Sequence, residues 1–132
     1  MENKKFNLFI LFDYVYYTIA YQYYKWYSVE INEFSGIIIL STIQFINIVV
    51  VLMFFNINLY DIVFINPLFI ILGGSFLLSI INRIRYKKII TYDELHKRWG
   101  NDNKKTNFIK KSLVLFYMLL TIVGLIISAQ WQ

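Results

Sequence analysis

Three stretches of the chain run for about twenty residues with almost no charge, the length a helix needs to cross a bilayer. They are residues 36–55, 62–82 and 112–129. Each reads as a transmembrane helix. Asn66-Pro67 sits near the start of the second. Proline in the first turn loses no needed hydrogen bond, so the regular helix is expected from Pro67. Residues 56–61 are long enough only for a tight hairpin between the first two spans.

A fourth apolar stretch, residues 6–27, holds Asp13, Gln22, Lys25 and most of the chain's tyrosines. On a helical wheel Asn7, Tyr14, Thr18 and Lys25 form one stripe, away from Leu8, Phe12, Val15, Ile19 and Trp26. Tyrosine and tryptophan favour the headgroup zone, where the ring is buried and its polar tip is wet. Two arrangements fit: an amphipathic helix in the interface, or a fourth span with Asp13 turned into the bundle. The tyrosines and the lack of a small-residue cleavage site argue against a signal peptide.

Charge sets the orientation. Residues 83–111 carry ten of the thirteen lysines and arginines, against Asp93, Glu94 and Asp102. Short loops this basic stay in the cytoplasm. The 56–61 hairpin and the C-terminus then lie outside. A flat N-terminal helix would leave the N-terminus in the cytoplasm, as Lys4 and Lys5 favour; a spanning one would place it outside. The basic loop is also expected to attract anionic lipid. A nucleic-acid role is not expected, because no glycine-rich phosphate loop accompanies the charges.

Inside this loop Thr91 precedes Glu94 by three residues, the spacing of a capping box. A short helix is expected over residues 92–99, with Tyr92, Leu95 and Trp99 on one apolar face that would lie on headgroups or dock a protein partner. Gly100 follows as a left-handed helix stop. Residues 101–103 read as a turn, and residues 104–111 return to the membrane. The alternative is a second span that continues unbroken into the cytosol.

Composition agrees with the membrane class. Hydrophobic residues make up 58% of the 132 residues and charged residues 16%, with a net charge of +5 and no cysteine. Disulfides, thiolate metal sites and cysteine nucleophiles are thereby excluded. Isoleucine, phenylalanine, tyrosine, asparagine and lysine are abundant. All have AT-rich codons, pointing to an AT-rich bacterial or phage genome and weakening any functional reading of the tyrosines and asparagines.

Polar and small residues stripe the spans. Ser41, Gln44 and Asn47 lie along one broad side of the first, where amides need partners. The second carries Gly73, Gly74, Ser75 and Ser79, with Asn82 continuing the same side; the third carries Thr121, Gly124 and Ser128. Ser75/Ser79 and Gly124/Ser128 are small-xxx-small pairs, which let helix backbones approach closely. They would pack the spans of one protomer, or join protomers into a homo-oligomer in which Gln44 and Asn47 line a polar path.

No catalytic constellation, cofactor motif or metal-ligand pattern is visible. His96, with Asp93 three residues before it, reads as a solvated helix face. An enzyme is not expected, nor is a transporter, since no internal repeat is visible.

The overall plan resembles small bacterial inner-membrane proteins built from an aromatic N-terminal helix (Phe12 to Tyr27), an amide-bearing span (Gln44, Asn47), a hairpin, a basic loop and a closing span. The run Tyr92-Asp93-Glu94-Leu95-His96-Lys97-Arg98-Trp99 and the return Lys104-Lys105-Thr106-Asn107 carry most of the likeness. Some such proteins resemble the three- or four-helix transmembrane effectors of antiphage defence systems. That resemblance implies an oligomer that breaches the membrane on signal. An accessory or anchoring subunit of a larger membrane complex, and a holin-like protein, are the other expectations.

Overall fold

A computed structural model describes residues 8–24, 29–57, 59, 61 and 65–130. These are almost wholly helical, with no strand among them. The elements are α1 (Leu8–Tyr24), α2 (Val29–Phe54), α3 (Pro67–Ile84) running into a π turn (Arg85–Ile89), α4 (Tyr92–Trp99) and α5 (Lys104–Gln130). Three segments are long and apolar enough to cross a membrane: Asn32–Phe54, Pro67–Ile89 and Lys104–Gln130. Each overlaps one of the three stretches expected to span. The last extends well before residue 112, because the returning lysines are already helical.

Local chemistry sets the ends. At the end of α2, Asn56 takes φ 57°, a left-handed conformation that asparagine tolerates better than most residues. The Ile57 N–H donates to the Leu52 carbonyl and the Asn56 N–H to the Met53 carbonyl, which closes the helix as a Schellman motif. The regular helix of the second span starts at Pro67, as expected. Pro67 occupies the first turn and the Asn66 side chain accepts from the Leu68 N–H at 2.9 Å. A residue before proline is disfavoured in helical conformation, so Asn66 marks the boundary. The connection is thus longer than the hairpin of residues 56–61; residues 58, 60 and 62–64 lie outside the described residues.

Past Arg83 the expected short helix over residues 92–99 is present and the second span does not continue unbroken, but the span does run one turn further than residue 82. It stays helical through the π turn, then breaks at Ile90 in an extended conformation. The capping box of α4 is formed: Thr91 Oγ1 accepts from the Glu94 N–H, and the Thr91 N–H donates to Glu94 Oε2 at 3.1 Å. Gly100 differs from expectation. Its φ is −64°, in the right-handed region. Glycine is required there by close approach instead, since a Cβ would come within 2.5 Å of the His96 carbonyl oxygen.

α2 is the central helix and packs against α1, α3 and α5. Contacts fix the directions. Gly36 of α2 meets Tyr16 and Ala20 of α1, and Gly124 of α5 meets Val50 of α2. Asn82 of α3 meets Ser41 and Gln44, while Lys87 in the π turn pairs with Glu33 at 2.7 Å. α1 and α3 thus run opposite to α2, and α5 runs with it. The N-terminal helix is the most enclosed element. Residues 13–17 are buried in succession, which covers α1 on every side there; a helix lying alone in an interface would leave one face free. Asn7, Lys25, Trp26 and Tyr27 lie outside the described residues. The described α1 has 17 residues, about 25 Å of helix.

Candidate functional site

The end of the bundle that carries α4 holds a buried ionic knot and an aromatic dock. Asp13 on α1 is 4% exposed. Arg85 grips it with both arms, Nε to Oδ1 at 3.0 Å and Nη2 to Oδ2 at 2.9 Å. The Tyr86 hydroxyl donates to the same Oδ1 at 3.0 Å. Paired N–H donors match the carboxylate plane, which makes this the strong geometry for such a pair. Tyr86 stacks on Tyr16 with ring centroids 3.9 Å apart, and the guanidinium lies 5.0 Å from the centre of the Phe9 ring. An acid in the N-terminal helix is thereby tied to the π turn across the fold. Nothing in the sequence singled out Arg85 as the partner of Asp13. Ser75, Ser79, Asn82 and Tyr86 do form one helical stripe, and extending it past the span would have reached the right turn.

Next to the knot, α4 is clamped onto α1. Leu95 is fully buried and Tyr92 nearly so. Tyr17 touches Tyr92 and Trp99, Tyr14 meets Trp99 edge-on at 5.0 Å, and Tyr24 reaches Tyr92. The face Tyr92, Leu95, Trp99 is therefore occupied within the chain and does not lie open to headgroups or a partner. The tyrosines of α1 cover it. His96 is also drawn in: Tyr17 OH and His96 Nδ1 lie 3.0 Å apart, a hydrogen bond whose direction the imidazole tautomer sets. Lys110 pairs with Asp102 and sits over the Tyr14 and Trp99 rings. Burial, then the neighbouring phenols of Tyr17, Tyr21 and Tyr24 and the Asp93 carboxylate, push the Tyr92 hydroxyl above its ordinary pKa.

Deeper in the bundle Gln44 and Asn47 of the first span find partners, whereas Asn32, near its start, is buried with its amide unpaired. Asn82 donates to both Ser41 Oγ and Gln44 Oε1 at 2.8 Å. Asn47 donates to the Tyr117 hydroxyl at 2.6 Å and accepts from Thr121 Oγ1 at 3.0 Å. Bonds of this kind between spans contribute about 0.6 to 2 kcal/mol each. The amide stripe therefore stitches α2 to α3 on one side and to α5 on the other.

The small residues also work inside the chain. Ser75, Thr121 and Ser128 are buried. Ser75 leaves its hydroxyl without a partner, so it serves by its size. Ser79 donates back to the Ser75 carbonyl, and Ser128 to that of Leu125. A Cβ on Gly124 would sit 3.2 Å from Val50 Cγ1, so enlarging Gly124 strains the α2–α5 contact of its own chain first. Gly74 is the tightest point: the Phe45 ring lies where its Cβ would be, whereas Gly73 faces open space. Among the described residues no cluster of three or more histidine, aspartate or glutamate side chains could hold a metal ion.

The outer faces of α3 and α5 are the reverse of this interior. Leu72, Phe76, Leu77, Phe116, Leu119 and Ile126 are all more than half exposed. A water-soluble protein rarely leaves so continuous an apolar surface uncovered. With the three long apolar helices, this belt suits a membrane protein. No protein-family model, curated protein or solved structure matches this chain.

Proposed function

We propose that the chain is a non-enzymatic multi-pass protein of a bacterial inner membrane, and that it serves as an accessory or anchoring subunit of a larger membrane complex. Its basic stretch, residues 83–111, faces the cytoplasm. In that orientation α2 and α5 run outward and α1 and α3 run inward, so that α1 ends at the cytoplasmic side beside α4. The C-terminus then lies outside.

One observation carries the reading. Asp13 and the amides at depth are matched to partners within the bundle: Asp13 to Arg85, Asn82 to Ser41 and Gln44, Asn47 to Tyr117 and Thr121; Asn32, at the start of α2, is the exception among the described residues. Groups spent in this way hold helices together. They are not poised to move protons or line an aqueous path, the usual work of polar residues at depth.

The alternative is a membrane-permeabilising effector of bacterial defence, or a holin-like protein, acting as a homo-oligomer. Gln44 and Asn47 border a cleft of about 510 Å³ with Phe12, Ile48 and Ile81, and this favours a second arrangement in which they turn toward water. Expression of the chain alone, with a membrane-potential dye and affinity capture in mild detergent, separates the two. The accessory reading predicts normal potential at confirmed membrane levels and one stoichiometric membrane partner. Collapse of potential at low expression, with only copies of the chain captured, would establish the effector instead.

A further inference from the structure

A groove runs between α2 and α3. Its walls are Phe34 and Ile38 on α2 and Phe76 and Ile80 on α3, and its mouth carries Arg83 and Lys87. Ile37 forms the floor. Phe76, Ile80, Arg83 and Lys87 follow one another at helical spacing, so a single stripe of α3 and its π turn changes from apolar to cationic along its length. The cleft measures about 590 Å³, within the range of sites that hold small molecules. Phe34, Phe76 and Ile80 stand 57%, 66% and 45% exposed around it.

Charge identifies the occupant. Lys87 is tied to Glu33, so that pair is close to neutral. Arg83 is exposed and makes no ion pair among the described residues. The mouth therefore bears a net positive charge next to an apolar trough, at the end of a segment long and apolar enough to span. We infer that this groove is a binding site for one anionic phospholipid of the cytoplasmic leaflet. Its phosphate would sit on Arg83, with Lys87 beside it, and an acyl chain would lie along Phe34, Ile38, Phe76 and Ile80. The inference rests on the membrane placement proposed above and adds to it a particular lipid class at a particular groove, where the basic loop alone implies only diffuse attraction.

The test uses the full chain, purified from bacterial membranes in mild detergent and titrated with phosphatidylglycerol or phosphatidylcholine under native mass spectrometry. Wild-type protein is expected to retain phosphatidylglycerol in preference to phosphatidylcholine. Arg83→Gln should lower that retention about fivefold, the weight of one basic residue at an anionic surface, with unchanged helicity by circular dichroism. The control Lys97→Gln/Arg98→Gln, on exposed positions of α4, should retain lipid as wild type does. Equal retention by Arg83→Gln and wild type overturns the site, as does equal loss in the control, which would mark diffuse charge. Membrane-bound protein with no lipid preference refutes this inference alone. Protein absent from the membrane fraction refutes the membrane placement together with the site.

Discussion

Asp13→Ala is expected to destabilise the protein by about 3–5 kcal/mol, the usual cost of removing one partner from a buried ion pair. The loss should be read as a lowered unfolding midpoint of detergent-solubilised protein by circular dichroism. The cause lies less in the missing attraction than in what stays behind. Arg85 keeps its charge with no carboxylate to meet it, and the Tyr86 hydroxyl loses its acceptor. Asp13→Ala/Arg85→Met should therefore recover much of the loss, because the apolar replacement removes the orphaned charge. An unaltered midpoint in Asp13→Ala would show that the knot contributes nothing to the fold.

Gly74→Leu is expected to be damaging as well, for a steric reason. The Phe45 ring occupies the space a Cβ would need, so even a short side chain must push α2 and α3 apart. Overpacking a tight contact costs about 1–3 kcal/mol and sometimes more. The neighbouring Gly73→Leu should be tolerated, since nothing lies within 4 Å of its Cβ position. Phe45→Ala combined with Gly74→Ala should restore part of the stability that Gly74→Ala alone removes. Thermal unfolding of the four variants side by side checks this, and equal behaviour of Gly73→Leu and Gly74→Leu would contradict it.

The contrast between these two glycines shows where sequence reading stops. Run length and absence of charge locate α2, α3 and α5, because the bilayer imposes a length that any spanning segment must meet. Asn66-Pro67 and Thr91/Glu94 mark helix starts, because capping is a local chemical act between residues close in sequence. Neighbours are a different matter. Gly73 and Gly74 look alike in the sequence, and only the arrival of Phe45 from another helix separates them.

The same holds for the candidate site. Tyr92, Leu95 and Trp99 are legible as an apolar face, but not the helix that covers it. The tyrosines of α1 are the type that settles at membrane interfaces, so their composition pointed to lipid as the cover. Asp13 is legible as an acid in need of a base. Its base is fixed by the π turn, which carries Arg85 and Tyr86 round to α1, and no spacing rule announces such a turn.

The orientation of the three spans is the claim on which the rest depends, and the absence of cysteine from the chain makes it direct to test. Single cysteines placed at Ile57 and Asn101, both exposed, can be labelled in intact spheroplasts with a membrane-impermeant maleimide. The account predicts that Ile57→Cys reacts at once, and that Asn101→Cys reacts only after the membrane is permeabilised. Labelling of Asn101→Cys from outside in intact cells, or of both positions equally, would contradict it.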